Sequence, residues 1–188
     1  METLHHKALH NDEKHENLRC PRRRFLKALM VLAALPVMPA WAQVGLDVGQ
    51  KALDFSAAGL DGKTQRLSTV TAASRATVVY FWATWCSPCI SEFPDLETLY
   101  RKLKDQGVTL LSINFKETAS TAKTFAEDAG ASFPVLLDTD GKIAAQFLVW
   151  PLPAIFVLDA KGVVRHKIIG ATNVTALEAK IVAVTGGG

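Results

Sequence analysis

The sequence predicts an α/β sandwich built on a mixed central sheet. Apolar runs of strand length alternate with amphipathic helical segments in the early part of the folded region, and a hairpin followed by one helix closes it. A second hairpin signal stands ahead of the first buried strand. No internal repeat or low-complexity tract interrupts this order.

Taken in sequence, 43–51 is a short lead-in containing Gly45 and Gly49. Residues 53–60 and 63–68 flank Asp61-Gly62, a strong turn dipeptide, and predict a β-hairpin. The apolar run 76–83 reads as a buried strand. A helix follows from about Cys86 to Lys104, with Phe93, Leu96, Leu99, Tyr100 and Leu103 at three- and four-residue spacing, and Gly107 stops it. Pro94 falls inside this helix and offers no N–H to the Ile90 carbonyl, which predicts a kink. Residues 108–114 form a second buried strand. Residues 118–129 form a helix capped by Thr118 or Ser120 and ended by Gly130. Residues 133–137 give a short strand, and 138–141 turn into a brief helix through Phe147. A second hairpin, 154–158 with 163–169, closes around 159–162, and Asn173 caps a last helix, 174–184. Phe125, Phe133, Phe147 and Phe156 belong to the core on this pattern.

The first 42 residues stand apart. A polar stretch with four histidines leads to Arg22-Arg23-Arg24-Phe25-Leu26-Lys27, an apolar run from Ala28 to Met38, and the small-x-small pattern Ala40-Trp41-Ala42. That is the order of a bacterial export signal, with cleavage expected after Ala42. The apolar part is short for a helix crossing a hydrocarbon core of ~30 Å. The arginine string resembles a twin-arginine signal. An Arg-rich Sec signal and an uncleaved inner-membrane anchor are the other readings. Export leads to a periplasmic location for one folded domain, 43–188.

Charge follows the same division. The formal net charge is +3, and residues 1–42 hold seven of the 21 Lys+Arg and four of the 18 Asp+Glu, leaving fourteen of each in a neutral mature chain. No basic stripe remains for nucleic acid or an anionic membrane surface. Cys20 and four of the five histidines leave with the signal, so Cys86, Cys89 and His166 remain. Cys86 and Cys89 stand at a strand-to-helix junction, where a reversible disulfide is expected. As a structural staple they would close almost no loop.

The residues Val48-Gly49-Gln50, Asp54-Phe55, Asp61-Gly62-Lys63 with Leu67-Ser68, the run from Phe81 through Trp82, Trp85, Cys86, Ser87 and Pro88 to Cys89, Glu92-Phe93-Pro94, and Leu152-Pro153 through Asp159 together resemble the TlpA/ResA thiol:disulfide oxidoreductases of the thioredoxin superfamily. The resemblance covers nearly the whole mature chain. It implies a thioredoxin-like three-layer α/β/α sandwich with an added N-terminal β-hairpin, and a reductase of disulfides in partner proteins. In that fold Cys86 opens a helix, where unpaired N–H groups and the helix dipole favour a thiolate. Cys86 would attack and Cys89 would resolve the mixed disulfide. Glu92, three residues after Cys89 and on the same helix face, would serve proton transfer; an ordinary solvated glutamate is the alternative. Tyr80 stands where cytosolic thioredoxins place a buried aspartate.

Pro153 matches the cis-proline that faces the cysteines in this fold, with Leu152 presenting its backbone to substrate. Pro151 departs from the family pattern, which commonly has glycine there, and leaves an all-trans loop as the alternative. Trp85, Ser87, Pro88 and Leu152 are the expected substrate contacts. Trp82 reads as core and Trp85 as rim, while Trp150 reads as partner surface or core. No cofactor is implied. The partners are a cysteine-containing periplasmic client, including apocytochrome c or copper-site cysteines, and an upstream membrane thiol donor. The chain reads as a monomer.

Other chemistries fit less well. A c-type haem site needs histidine where Ile90 stands, and zinc needs more ligands than two cysteines and His166 supply. Cu(I) delivery would use both thiolates and His166, but His166 lies on the late hairpin, away from the pair. The peroxiredoxin Pro-x-x-x-Thr-x-x-Cys signature is missing. A disulfide-forming oxidant or isomerase uses the same two sulfurs, but DsbA-type oxidants carry a large helical insertion for which this chain lacks the length.

Overall fold

The computed structural model describes residues 44–186. The expected export signal and its cleavage point lie outside them. Among the described residues no helix is long and apolar enough to cross a membrane.

β1 (Ser56–Ala58) and β2 (Thr64–Arg66) pair antiparallel, with Ala57 opposite Gln65. The predicted hairpin is present but shorter than its polarity pattern, because Leu67 and Ser68, expected at the end of its second strand, instead open a helix, α1 (Leu67–Ala73), that the sequence pattern does not predict. The reason is a remote cap. Arg66 at the N-cap makes no capping bond of its own. Instead Asp54 Oδ1 accepts the Ser68 N–H at 2.8 Å, and Oδ2 accepts the Ser68 hydroxyl at 2.9 Å and Arg66 Nε at 2.7 Å. A donor–acceptor pair fourteen residues apart leaves no trace in a local pattern.

The rest of the chain follows the expected order: β3 (Ala76–Trp82), α2 (Ser87–Leu103), β4 (Val108–Phe115), α3 (Ala119–Asp128), β5 (Val135–Asp138), α4 (Lys142–Gln146), β6 (Ala154–Asp159), β7 (Val164–Ile169) and α5 (Val174–Thr185). The five main strands lie in the order β5-β4-β3-β6-β7. β3, β4 and β5 run parallel, and β6 and β7 join antiparallel, so the sheet is mixed as predicted. α2 runs through Pro94 to Leu103, then a 3-10 turn ends at Gly107, whose φ of 84° suits glycine. Thr118 and Asn173 cap α3 and α5 through their side-chain oxygens.

β3 is buried along all seven residues, as a strand covered on both faces must be. Val78, Tyr80 and Trp82 share a cluster with Phe93, Leu96, Leu99 and Leu103 of α2 and Leu177 and Ile181 of α5. Val79 and Phe81 share the other with Leu67 of α1, Ile143 and Ala144 of α4, and Phe55, Phe147 and Phe156. These are the outer layers of a three-layer sandwich. Both edge strands have additional backbone partners, which blunts edge pairing. Leu60 N–H donates to the Val135 carbonyl on β5 at 3.0 Å, while residues 49 and 50 exchange two bonds with Val164 on β7.

The short α4 depends on a buried carboxylate. Asp138, at the end of β5, accepts the N–H groups of Ile143 at 3.0 Å and Ala144 at 2.8 Å. Asp138→Ala leaves two buried donors unpaired and should lower unfolding free energy by about 2 kcal/mol. Urea denaturation at pH 7 measures it, and a loss below about 0.5 kcal/mol would show that α4 does not need this cap.

Candidate active site

The parallel strand β3 delivers the chain to the carboxyl end of the sheet, and a tight turn follows in which Cys86 N–H donates to the Ala83 carbonyl at 3.1 Å. Cys86 then caps α2: its sulfur accepts the Cys89 N–H at 3.3 Å, and Pro88 occupies the first turn, where a missing N–H costs nothing. Cys86 and Cys89 are joined in a disulfide, with S–S 2.01 Å and Cα–Cα 5.2 Å. Cys86 retains slight exposure and Cys89 has none. The sequence order of outer and inner sulfur is therefore also the spatial order.

Around the pair, Ser87, Pro88 and Trp85 are exposed, with Trp85 at 58%. Trp82 is fully buried, 4.8 Å from the Phe93 ring and 5.1 Å from Phe125. Trp150, for which core and surface readings were both open, is 67% exposed and therefore surface. Phe81 pairs with Ala154 across β3 and β6, so Pro153, immediately before β6, sits at the same end of the sheet as the turn carrying Cys86. The Leu152–Pro153 bond is cis, as the motif implied, and Trp150–Pro151 is cis as well, which replaces the all-trans alternative. Pro153 is buried, Leu152 half-buried and Pro151 exposed.

Glu92 is not a solvated helix glutamate. It is 8% exposed; Oε1 accepts the Thr172 N–H at 2.5 Å, and buried Oε2 has no hydrogen-bond partner. Burial pushes its carboxyl above the ordinary range; the Thr172 N–H opposes that shift and the Asp95 charge adds to it. Tyr80, also fully buried, donates its hydroxyl to the Cys89 carbonyl at 3.1 Å.

Two contributors escaped the sequence reading. Glu117 accepts the Thr84 N–H at 2.9 Å, the Thr84 hydroxyl, and Asn114 Nδ2 at 2.6 Å. One carboxylate thus ties the turn before Cys86 to the end of β4. Lys116, just ahead of it, adopts φ 55°, unusual for a residue with a side chain. The only available signal was a polar cluster at the exit of a predicted strand. Thr172 contributes a backbone N–H, which no residue type advertises. His166 lies on β7 opposite Val157, two strands from β3 and level with Val78 rather than with the cysteines. The arrangement can hold and exchange a disulfide at Cys86 and offers a buried carboxyl for proton transfer one helical turn beyond Cys89.

Residues 48–167 match the model of the AhpC/TSA family. The thiol-disulfide oxidoreductase ResA of Bacillus cereus is 34% identical over 140 residues, covering 74% of this chain and 80% of its own. The ResA of Geobacillus kaustophilus is 35% identical over 131 residues, covering 70% and 74%. Among solved structures, a candidate thiol:disulfide interchange protein DsbE from Chlorobium tepidum has TM-score 0.70 and 32% identity, covering 75% of this chain and 99% of its own. With its bonded Cys86–Cys89 pair inside the matched range, the chain belongs to the AhpC/TSA family and, within it, to the thiol-disulfide oxidoreductases of ResA/DsbE type.

Proposed function

We propose that the protein reduces disulfides in client proteins of the periplasm. The observation that carries this reading is the slightly exposed Cys86, bonded to a fully buried Cys89, at the head of α2. In the reduced protein the Cys86 thiolate, favoured by the helix N-terminus and by the Cys89 N–H, attacks a client disulfide. The client S–S bond breaks, one client thiolate leaves, and a mixed disulfide forms. Cys89 gives its proton to Glu92 and attacks the Cys86 sulfur. The second client thiolate leaves, the Cys86–Cys89 bond forms, and two electrons have passed to the client. A membrane thiol donor restores the dithiol.

Trp85, Ser87 and Pro88 on the exposed rim and Leu152 beside Pro153 are the contacts for the client chain. Cysteines awaiting haem or copper fit the reaction, since both must be reduced before they bind. The N-terminal 42 residues act as the export signal, of twin-arginine type, leaving 43–188 as the working domain. The similarity to ResA supports reduction over oxidation.

Two measurements test the scheme. Cys89→Ser should accumulate a mixed disulfide through Cys86 with a disulfide-bonded client peptide, whereas Cys86→Ser should accumulate none; the reverse pattern overturns the order of attack. Titration against glutathione should give a potential near thioredoxin's, roughly −270 mV, and a value near roughly −120 mV would make the protein an oxidant.

Glu92 makes stability depend on pH. Its folded-state pKa is raised above the unfolded value, so the native state binds the extra proton. Its favourable contribution is full below the unfolded pKa and is lost as pH rises through the folded one. Oxidised Glu92→Gln should therefore melt a few degrees higher than wild type at neutral pH and lose that advantage in acid. Melting curves between pH 4 and 8 decide; parallel curves would mean that Glu92 titrates normally.

A further inference from the structure

The Tyr80 phenol is a second polar group at the resolving cysteine, and the exchange scheme does not use it. Its ring is fully buried in β3, and its hydroxyl crosses from the sheet to α2, donating to the Cys89 carbonyl at 3.1 Å. That contact lies beside a gap in the hydrogen bonding of α2. Pro94 offers no N–H to the Ile90 carbonyl, the next one along from that of Cys89, so one rung of the helix is missing there. The Tyr80 ring also leans on Phe93 at 6.4 Å, between Glu92 and Pro94 in sequence. The turn carrying Cys89 and Glu92 is therefore braced from the central strand.

The groups around this turn divide the labour. Burial first, and then the nearby Glu92 charge, hold the Tyr80 phenol far above its ordinary pKa, so it stays a neutral donor at any working pH. Glu92 Oε2 is buried and unpartnered, while Oε1 is held by Thr172. Asp95 is the charge that acts on Glu92 from further along α2.

We propose that the Tyr80 hydroxyl is a positioning group for the resolving step. By tying the Cys89 carbonyl to β3 it holds the Cys89 turn in register with Glu92, and it leaves Glu92 as the carboxyl that takes the Cys89 proton. A buried acid at position 80 would compete for that proton; a phenol donates only a fixed hydrogen bond. This rests on the order of attack proposed above, with Cys86 first and Cys89 second.

The reduced protein is mixed with 5,5′-dithiobis(2-nitrobenzoate), and release of the aromatic thiolate is followed by stopped flow. One thiolate leaves when Cys86 attacks, and a second when Cys89 displaces it from the mixed disulfide. Tyr80→Phe keeps the ring and removes one net hydrogen bond, so the second phase should slow roughly three- to tenfold with the first unchanged. In a Glu92→Gln background the same change should add less than about twofold, because the two act as one unit. Fluorotyrosine in a Tyr100→Phe protein, which leaves Tyr80 the only tyrosine, strengthens the donor without changing its shape and should move the second phase the opposite way. A wild-type second phase in Tyr80→Phe, an equal slowing of both phases, or full multiplication with Glu92→Gln would overturn the proposal. A second phase that survives in Cys89→Ser would instead sink the order of attack on which it rests.

Discussion

Burial of β3 on both faces is the constraint on which the rest of this molecule depends. Seven consecutive residues exclude water, so every backbone group there must pair laterally, and β4 and β6 supply that pairing. The alternation of side chains then divides the core, sending Tyr80 and Trp82 toward α2 and Phe81 toward α4. Because β3 ends in the turn at Ala83–Cys86, the same pairing fixes where the disulfide emerges. It also brings Pro153 alongside, since β6 begins opposite Phe81. Packing and chemistry share one strand.

Around that strand the carboxylates at Asp138, Glu117 and Glu92 are of two kinds. Asp138 saturates both oxygens on the first turn of α4, and Glu117 saturates both on the turn before Cys86. Such carboxylates act as struts, and their charge is answered by N–H and O–H donors at short range. Glu92 differs, with one oxygen bonded and one bare. A partly satisfied carboxyl in a dry place is expensive to keep charged, and burial accordingly holds Glu92 above the ordinary carboxyl range. Among the buried carboxylates of the described residues, it is the one on the turn of the resolving cysteine that keeps an unpartnered oxygen.

Much of this was legible in advance. The apolar runs of β3 and β4, the spacing along α2, the caps Thr118 and Asn173 and the stop at Gly107 are local signals, and each element formed where its signal lay. α1 did not follow, because its capping acceptor, Asp54, approaches from the far side of the hairpin. Trp150 could not be assigned inside or outside, since an indole suits either and only the packed structure leaves it 67% exposed.

The α/β order could be read from the chain alone, because each element depends on neighbours a few residues away. The places of Cys86 and Cys89 and the candidates Glu92 and Pro153 followed from the family resemblance that the motifs carry. Packing in three dimensions was needed to bury Glu92 with an oxygen to spare, to bring the Tyr80 hydroxyl onto the Cys89 carbonyl, and to bring Glu117 and Thr172 to the site from the exit of β4 and the approach to α5. Desolvation and long-range hydrogen bonding arise from groups that meet only when the sheet has closed and its helices have packed. A carboxylate carries no mark in the chain of whether water will reach it.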